Sequence, residues 1–505
     1  MSEGNTIVTE LFQQRDILIT CRNSQGLDVR STPVRVTRFT AILEVYNPHS
    51  ILQLSEVLSD FHITLGDRCV YAGRAVVSNL VNAGILLLAE VTLEDESWLD
   101  VDLFSPIAQP ERLQEEFESF MGHWRKMQSI TSAFKLAVAD FQMLLSEVRR
   151  WLDQVELGVR SEPGGNRSEM EREVLEGLEG RILPQIDEWA AAFDKAADDV
   201  EDSLRPAYRA YARRQVHPLV MCSPFVYRTY HKPLGYAGDY EMVNMILRDP
   251  HEGATLFAKM VNVVFLQNPP AQAHRNRIKY LLRRLIEETQ RVAATGRRIR
   301  ILNLGCGPAR EVQLFIEQEE LSNQVDITLL DFNRETLEYT RKHLEERVQK
   351  HHRDIHIQME QKSINQLLKE SIRSRPARAD EGYDFVYCAG LFDYVSDRVC
   401  RRLTELFYNL LTPGGGVLVT NVHAAKPFRY SMDYFLEWHL ICRNEEQMRS
   451  LIPDVTPKPI WELNADPTGV NLFLEMRRPT QETAAGGNVV TQAHDRPAGA
   501  ATARQ

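Results

Sequence analysis

Residues 299–316 of this 505-residue chain read IRILNLGCGPAREVQLFI. Gly305 and Gly307 carry no Cβ, so the main chain can turn tightly there and let a ligand approach its N–H groups. Asp331 follows 24 residues after Gly307, at the end of the run VDITLLDFN. A carboxylate in that position can accept hydrogen bonds from the hydroxyls of a ribose. The chemistry these residues suit is the holding of a nucleoside-like ligand. Ala309 stands where a dinucleotide site would place its third glycine, and Arg310 follows it. Cys306 reads as a small packed residue, not a nucleophile.

The elements that must position these groups are legible around them. IRILNL has strand character, the glycines break it, and Val312, Leu314, Phe315 and Ile316 resume with helical spacing. A second strand ends at Asp331, and a helix is expected over 333–350. IHIQME (355–360) is a third strand. YDFVYCAGLFDYV (383–395) is a fourth, with an apolar turn. A helix over 397–411 ends in TPGGG, and VLVTNVH (417–423) is a fifth strand. IWELN (460–464) and VNLFLEMRR (470–478) flank DPTG as a hairpin.

Five βα steps closed by an antiparallel pair, with the wording LNLGCGP, LLDFN and LTPGGGVLVTN, resemble the seven-stranded Rossmann-like sheet of class I S-adenosyl-L-methionine (AdoMet) methyltransferases over residues 295–478. The resemblance implies AdoMet as cofactor. Gly305, Cys306 and Gly307 would lie beside its methionine and ribose, and Asp331 would take the ribose hydroxyls. Phe332 or Asn333 would lie near the adenine, with Ser363 and Ile364 after the third strand. Ser363 stands where the family often has an acidic residue. Ala389 and Gly390 would lie close to the transferring methyl. His423, at the end of the fifth strand, is expected on the acceptor side, where it or Asp239 would serve a hydroxyl or amine acceptor as base. No metal cluster is visible in the sequence.

PLVMCSPFVYRTYHKPLGYAGDY (218–240) is aromatic, polar and turn-rich, and reads as a functional loop. HKPLGYAGDY within it resembles a methyltransferase subfamily commonly described as biosynthesis proteins for 3-hydroxypalmitic acid methyl ester, a bacterial signal. That segment and PFRYSMDYFLEWHLICR (427–443) could form a lid offering an apolar tunnel and polar donors, with Tyr236, Tyr230, His231, Arg429, Tyr430 and Trp438 as candidates. Tyr236 and Asp239 join His423 as the candidate catalytic set.

The remainder divides by pattern. Residues 1–105 carry DILITC, PVRVTRFTAILEVY, RCVYAGRAVVSNLV and GILLLAEVTL, which suggest a small β-barrel. AVVSNLVNAGILL is similar to PilZ-type domains. Asn79, Val81 and Gly84 stand where that family has Asp or Asn, Ser and Gly, so the serine is missing. Arg30, Arg35 and Arg38 lack the family's four-residue arginine spacing. The resemblance therefore implies a barrel kept for docking a regulatory partner or ligand. Residues 106–217 read as helical, with stretches over 108–160 and 169–215 forming a hairpin; Phe117, Phe120 and Trp124 recur at helical spacing, as do Phe134, Val138, Phe141 and Leu144. Residues 218–294 form a lid and helical lead-in, with helices over 241–249, 253–266 and 270–293. The tail 479–505 is small, polar and unperiodic, the composition of a disordered segment.

A chain this long needs two or three domains. Its net charge of −11 opposes broad nucleic-acid binding, which wants a basic footprint. Seven scattered cysteines without a CxxC pair suit a reducing compartment, neither zinc nor a disulfide framework. No secretory leader is visible, and the most apolar stretch (83–91) is too short to span a bilayer, so a cytoplasmic protein without integral membrane association is expected. The first functional reading is an AdoMet-dependent O-methyltransferase (EC 2.1.1.-) acting on a small-molecule or lipid carboxylate, in its specific version a 3-hydroxy fatty acid. The second is a regulatory or scaffold protein whose methyltransferase fold binds AdoMet with little turnover.

Overall fold

The computed structural model describes residues 17–37, 39–45, 52–65, 68–82, 87–94, 97–99, 121, 130–162, 166–202, 204–373 and 382–480. Six antiparallel strands open the described chain: β1 (Ile17–Arg22), β2 (Asp28–Val36), β3 (Thr40–Val45), β4 (Val57–Leu65), β5 (Arg68–Asn82) and β6 (Leu87–Leu93). They close as a barrel in the order β1-β2-β3-β6-β5-β4. Period-two alternation sends Ile19, Val29, Leu43, Ile63, Val77 and Val91 into its core. The strand absent from the sequence reading is β4. Its alternation is broken by a register shift between Leu58 and Phe61, with Asp60 at φ +48°.

Helices follow: α1 (Ser132–Ser161), α2 (Arg167–Asp198), α3 (Arg205–Val220), α4 (Pro224–His231), α5 (Tyr240–Leu247), α6 (Leu256–Leu266) and α7 (Pro269–Ala293). The expected helix over 108–160 is described from Ser132 onward; Phe117, Phe120 and Trp124 lie outside the described residues, as does the tail beyond Thr480. The stretch expected over 169–215 is two helices, α2 and α3. The functional loop expected over 218–240 is largely helical: Ser223 caps α4, accepting from Val226 N, and Asp239 caps α5. What remains irregular is 232–239, where Lys232, Gly235 and Gly238 have positive φ.

The C-terminal unit alternates β7 (Ile299–Leu304), α8 (Arg310–Gln318), β8 (Val325–Asp331), α9 (Arg334–His351), β9 (His356–Gln361), α10 (Ile364–Arg373), β10 (Tyr383–Cys388), α11 (Asp397–Asn409) and β11 (Leu411–Val422). Short helices α12 (Arg429–Leu436) and α13 (Glu445–Arg449) precede the hairpin β12 (Ile460–Ala465) and β13 (Asn471–Arg477). The sheet order is β12-β13-β11-β10-β7-β8-β9, with β7 to β11 parallel and β13 antiparallel to β11. The TPGGG run, expected as a turn, already belongs to β11, and the register against β10 shifts between Tyr383 and Phe385 to admit it. Both faces of the sheet are covered, so its strands read as continuous apolar runs. Leu302, Val386 and Val419 face one core, and Ile301, Phe385 and Leu418 face the other.

A further core joins what the sequence divides. Phe134 of α1, Phe193 of α2, Val216 of α3, Phe225 of α4 and Phe257 of α6 pack with Tyr434 and Phe435 of α12. Helices α1 to α4 and α6 therefore share one apolar interior with a segment inserted after β11.

Candidate active site

The strand β7 ends in a turn that only glycines make easily. Gly305 lies at φ +70° and Gly307 at φ +51°. Gly305 N and Cys306 N donate to Leu330 O at 2.8 and 3.1 Å, tying the turn to β8. A Cβ at Gly305 would have only Leu391 Cβ near it, at 3.8 Å, and one at Gly307 would enter open space. The two glycines therefore leave a cradle along the main chain. Ala309, in the third position, takes φ +47° and is fully buried at the start of α8.

Asp331 is buried against this turn. Its Oδ2 accepts from Gly307 N at 3.1 Å and its Oδ1 from Asn333 N at 3.0 Å. Phe332 N also contributes to holding the carboxylate, whose lone pairs outnumber these main-chain donors. Burial raises its pKa to about 6. It does not cap the following helix; Asn333 does, accepting from Thr336 N at 2.9 Å. The Phe332 ring lies 4.9 Å from the ring of Tyr236, whose hydroxyl is 3.3 Å from Thr336 Oγ1. Burial, then the nearby Asp331, pushes the Tyr236 phenol well above its ordinary range.

These groups line one cavity of about 190 Å³. Of the residues nominated from the sequence, Gly305, Cys306, Gly307, Asp331, Phe332, Ile364, Ala389, Gly390, Tyr236 and Trp438 line it. Cys306 is a buried thiol whose pKa burial raises well above the ordinary value, so it has no thiolate character at neutral pH.

Ser363, His423 and Asp239 lie elsewhere. Ser363 caps α10, its Oγ 3.3 Å from Gln366 N, while its neighbours Lys362 and Ile364 line the cavity. His423 is held away from the cavity lining by main-chain pairing with Val470 O at 2.7 Å, and its Nε2 sits 3.4 Å from Glu445 Oε2. Asp239 is occupied by a two-pronged ion pair with Arg228, at 3.0 and 2.9 Å, and by capping Met242 N at 2.7 Å. Arg429 is exposed, with its guanidinium over the Tyr430 ring.

The structure adds groups that sequence spacing did not single out. Arg277, on α7, faces Gly390: a Cβ there would fall 3.2 Å from both of its terminal nitrogens. Its polar contacts are with the His274 ring, both ring nitrogens lying 3.2 Å from Nη2. Among the described residues no carboxylate forms an ion pair with it, although the charge of Asp393 reaches it. Burial, then Arg277 and Arg275, lowers the His274 pKa well below its ordinary value, so its ring is neutral. Burial also lowers the pKa of Arg277, yet a guanidinium stays charged at neutral pH. Asp393 is buried with Oδ1 accepting from Val422 N at 2.7 Å, and burial lifts its pKa to about 6. Lys426 also reaches the cavity, its Nζ 3.1 Å from Met432 Sδ. Glu311 accepts from the Tyr387 hydroxyl at 2.8 Å on the cavity floor. No signal marked Arg277: it is one of four arginines in QAHRNRIKYLLRR, where helical arginines ordinarily read as a solvated face.

Apolar lining comes from Met242 and Ile246 of α5, Phe265 of α6, and Met432 and Leu436 of α12. One cavity thus joins the glycine turn and Asp331 to Arg277 and to a group of apolar side chains.

Comparison with known proteins bears on this geometry. The family model described as a methyltransferase domain matches residues 296–468. None of the curated proteins matches the chain. Among solved structures, a protein of Bordetella parapertussis described as exported is similar at 17% identity and a TM-score of 0.37, over 50% of this chain and 86% of that one. Magnesium protoporphyrin IX methyltransferase from Synechocystis PCC 6803, with bound SAH, aligns at 10% identity and 0.34, over 50% and 98%. The N-methyltransferase NodS from Bradyrhizobium japonicum, in complex with S-adenosyl-L-homocysteine, aligns at 16% and 0.28, over 50% and 99%. By the family model, residues 296–468 form a methyltransferase domain, and the cavity described lies at the carboxyl ends of its parallel strands.

Proposed function

We propose that this protein transfers a methyl group from S-adenosylmethionine to an oxygen of a carboxylate carried on an apolar body, of the fatty-acid type. The cradle fits the cofactor. Gly305 and Gly307 leave room along the main chain, and Asp331 keeps lone-pair capacity for the ribose. Phe332, Ile364 and Tyr236 supply apolar surface for a base. When bound, the cofactor supplies a sulfonium-activated methyl.

The observation that carries the acceptor assignment is Arg277. It is a guanidinium without a carboxylate partner among the described residues, next to Gly390 and in the same cavity as the glycine turn. A guanidinium holds a carboxylate by two parallel N–H···O bonds and so fixes its plane. A carboxylate is ionised at neutral pH, its reference pKa lying near ~4, and needs no base to attack. What the protein must supply is alignment and exclusion of water. Arg277 would supply the first; Met242, Ile246, Phe265 and Leu436 would supply the second while receiving an alkyl chain. The specific version, a diffusible methyl ester of a 3-hydroxy fatty acid, rests on the wording HKPLGYAGDY, of which Tyr236, Ala237, Gly238 and Tyr240 line the cavity.

The test is Arg277→Leu. With decanoate as acceptor, kcat/KM should fall about 10- to 100-fold, the worth of a charge-assisted hydrogen bond. The AdoMet dissociation constant should change by less than about threefold. Loss of AdoMet affinity with unchanged use of bound acid would assign Arg277 to the cofactor and refute the acceptor role.

A further inference from the structure

Tyr394 ends the short turn Phe392–Tyr394 that follows β10. Its main chain is held from two sides: its N–H donates to Leu391 O at 3.0 Å, and its carbonyl accepts from Leu54 N at 3.5 Å. Phe392, Asp393 and Val395 around it are buried, while Tyr394 keeps accessible surface and lines the same cavity as Arg277 and the glycine turn. Trp438 Nε1 donates to its hydroxyl at 2.8 Å. Gly238, at φ +79°, makes room for that hydroxyl: a Cβ there would fall 2.9 Å from it.

An indole N–H can only donate, so the Tyr394 oxygen is the acceptor in that bond and its own proton must go elsewhere. Among the described residues no acceptor takes it. Neighbouring phenols are matched: Tyr387 donates to Glu311 at 2.8 Å, and the Tyr236 hydroxyl lies 3.3 Å from Thr336 Oγ1. A polar hydrogen left over in a largely buried place is unfavourable and uncommon. Burial, then the charge of Asp393, pushes the Tyr394 phenol above its ordinary range, so it stays protonated and serves as a donor, not as a base. The Arg277 charge reaches the same phenol.

We propose that Tyr394 aligns the methyl acceptor: its hydroxyl donates to the carboxylate oxygen that becomes the carbonyl oxygen of the ester, leaving the other oxygen to attack. The inference rests on the carboxylate-acceptor reading given above. A guanidinium pairing with both oxygens treats them alike, whereas a single hydroxyl distinguishes them. The attacking oxygen bonds to the methyl carbon as that carbon's bond to sulfur breaks, with the electron pair staying on sulfur. Carboxylate and sulfonium both become neutral and no proton moves, so Tyr394 keeps its proton throughout.

The experiment is calorimetric titration of full-length protein, saturated with S-adenosylhomocysteine, with decanoate and with decanamide. Wild type is compared with Tyr394→Phe and Tyr394→Met, which both remove the hydroxyl, and methyl transfer from labelled AdoMet to decanoate is followed alongside. Either variant should bind decanoate about 10- to 100-fold more weakly, the worth of a hydrogen bond to a charged group. The neutral decanamide should lose only about 2- to 10-fold. Affinity for S-adenosylhomocysteine should change by less than about twofold. Unchanged decanoate affinity in whichever variant folds would overturn the proposal and leave the carboxylate reading standing. So would equal losses for acid and amide, which mark altered packing, or a loss confined to S-adenosylhomocysteine. Failure of both variants to fold would make the hydroxyl a structural group and overturn it too. Wild-type protein that neither binds nor methylates decanoate would overturn both readings.

Discussion

Asp331 makes the cofactor side testable by pH. With a pKa raised by burial to about 6, it is ionised above that pH, and in the proposed role its oxygens accept from the ribose hydroxyls. Below it, one oxygen carries a proton and becomes a donor. AdoMet affinity should therefore weaken as pH falls through about 6, and calorimetric titration should show Asp331→Asn to be weaker and flat over that range. A wild-type profile flat from pH 5 to 8 would remove the ribose role. The residues that sequence spacing nominated as bases behave differently. His423 does not line the cavity, and its ring faces Glu445, so His423→Ala should leave kcat within about threefold of wild type. Asp239→Asn instead strips the counter-ion from Arg228 in a buried pair, while its amide oxygen can still cap α5. It should lower stability by about 3–5 kcal/mol in urea unfolding. Turnover that collapses in the first variant, with stability intact, would restore His423 as a catalytic group.

At the scale of elements, legibility followed the strength of local patterning. Strands β7, β8, β10 and β11 are rich in apolar residues and bounded by glycine or capping residues, so the parallel sheet is legible in the sequence. Asp331 was found because position at a strand end is a sequence property. Arg277 was not, because it becomes a cavity group only through contacts between distant segments. The segment 218–240 reads as a loop from its tyrosines and glycines. It folds as α4 and α5 because Ser223 and Asp239 supply caps and because Phe225 and Met242 find a core shared with α12. The lid is fixed to the barrel by charge. Glu437 follows α12 and meets Arg213, Lys232 and Arg74 of β5, the last at 3.8 Å. Burial alone would raise its pKa; the cations, Arg213 foremost, hold it down to about 2. A depressed carboxylate adds stability above its unfolded pKa and loses it as pH falls toward 2. Glu437→Gln should therefore destabilise the fold by about 3–5 kcal/mol near neutral pH, since it leaves buried cations unpaired. An unchanged urea midpoint would contradict the lock.

Over the whole molecule, the barrel and the methyltransferase unit meet through buried groups. Ile441 packs against the barrel core, Ser55 and Val57 bond across, and Glu437 draws cations from both sides. The sequence suggests a barrel kept for docking a regulatory partner or ligand, because a barrel with lost ligand motifs says nothing of what it touches. The contacts make the barrel a structural part of the catalytic unit, and scanning calorimetry should show both unfolding in one transition. Two separated transitions would return the barrel to the status of an appendage. The central claim, methyl transfer to a carboxylate, is tested most directly by the lability of the product. Full-length protein incubated with methyl-labelled AdoMet and an oxygenated fatty acid should yield label that mild base releases as methanol, the behaviour of a methyl ester. Label that survives base, as an ether or N-methyl group would, contradicts the account.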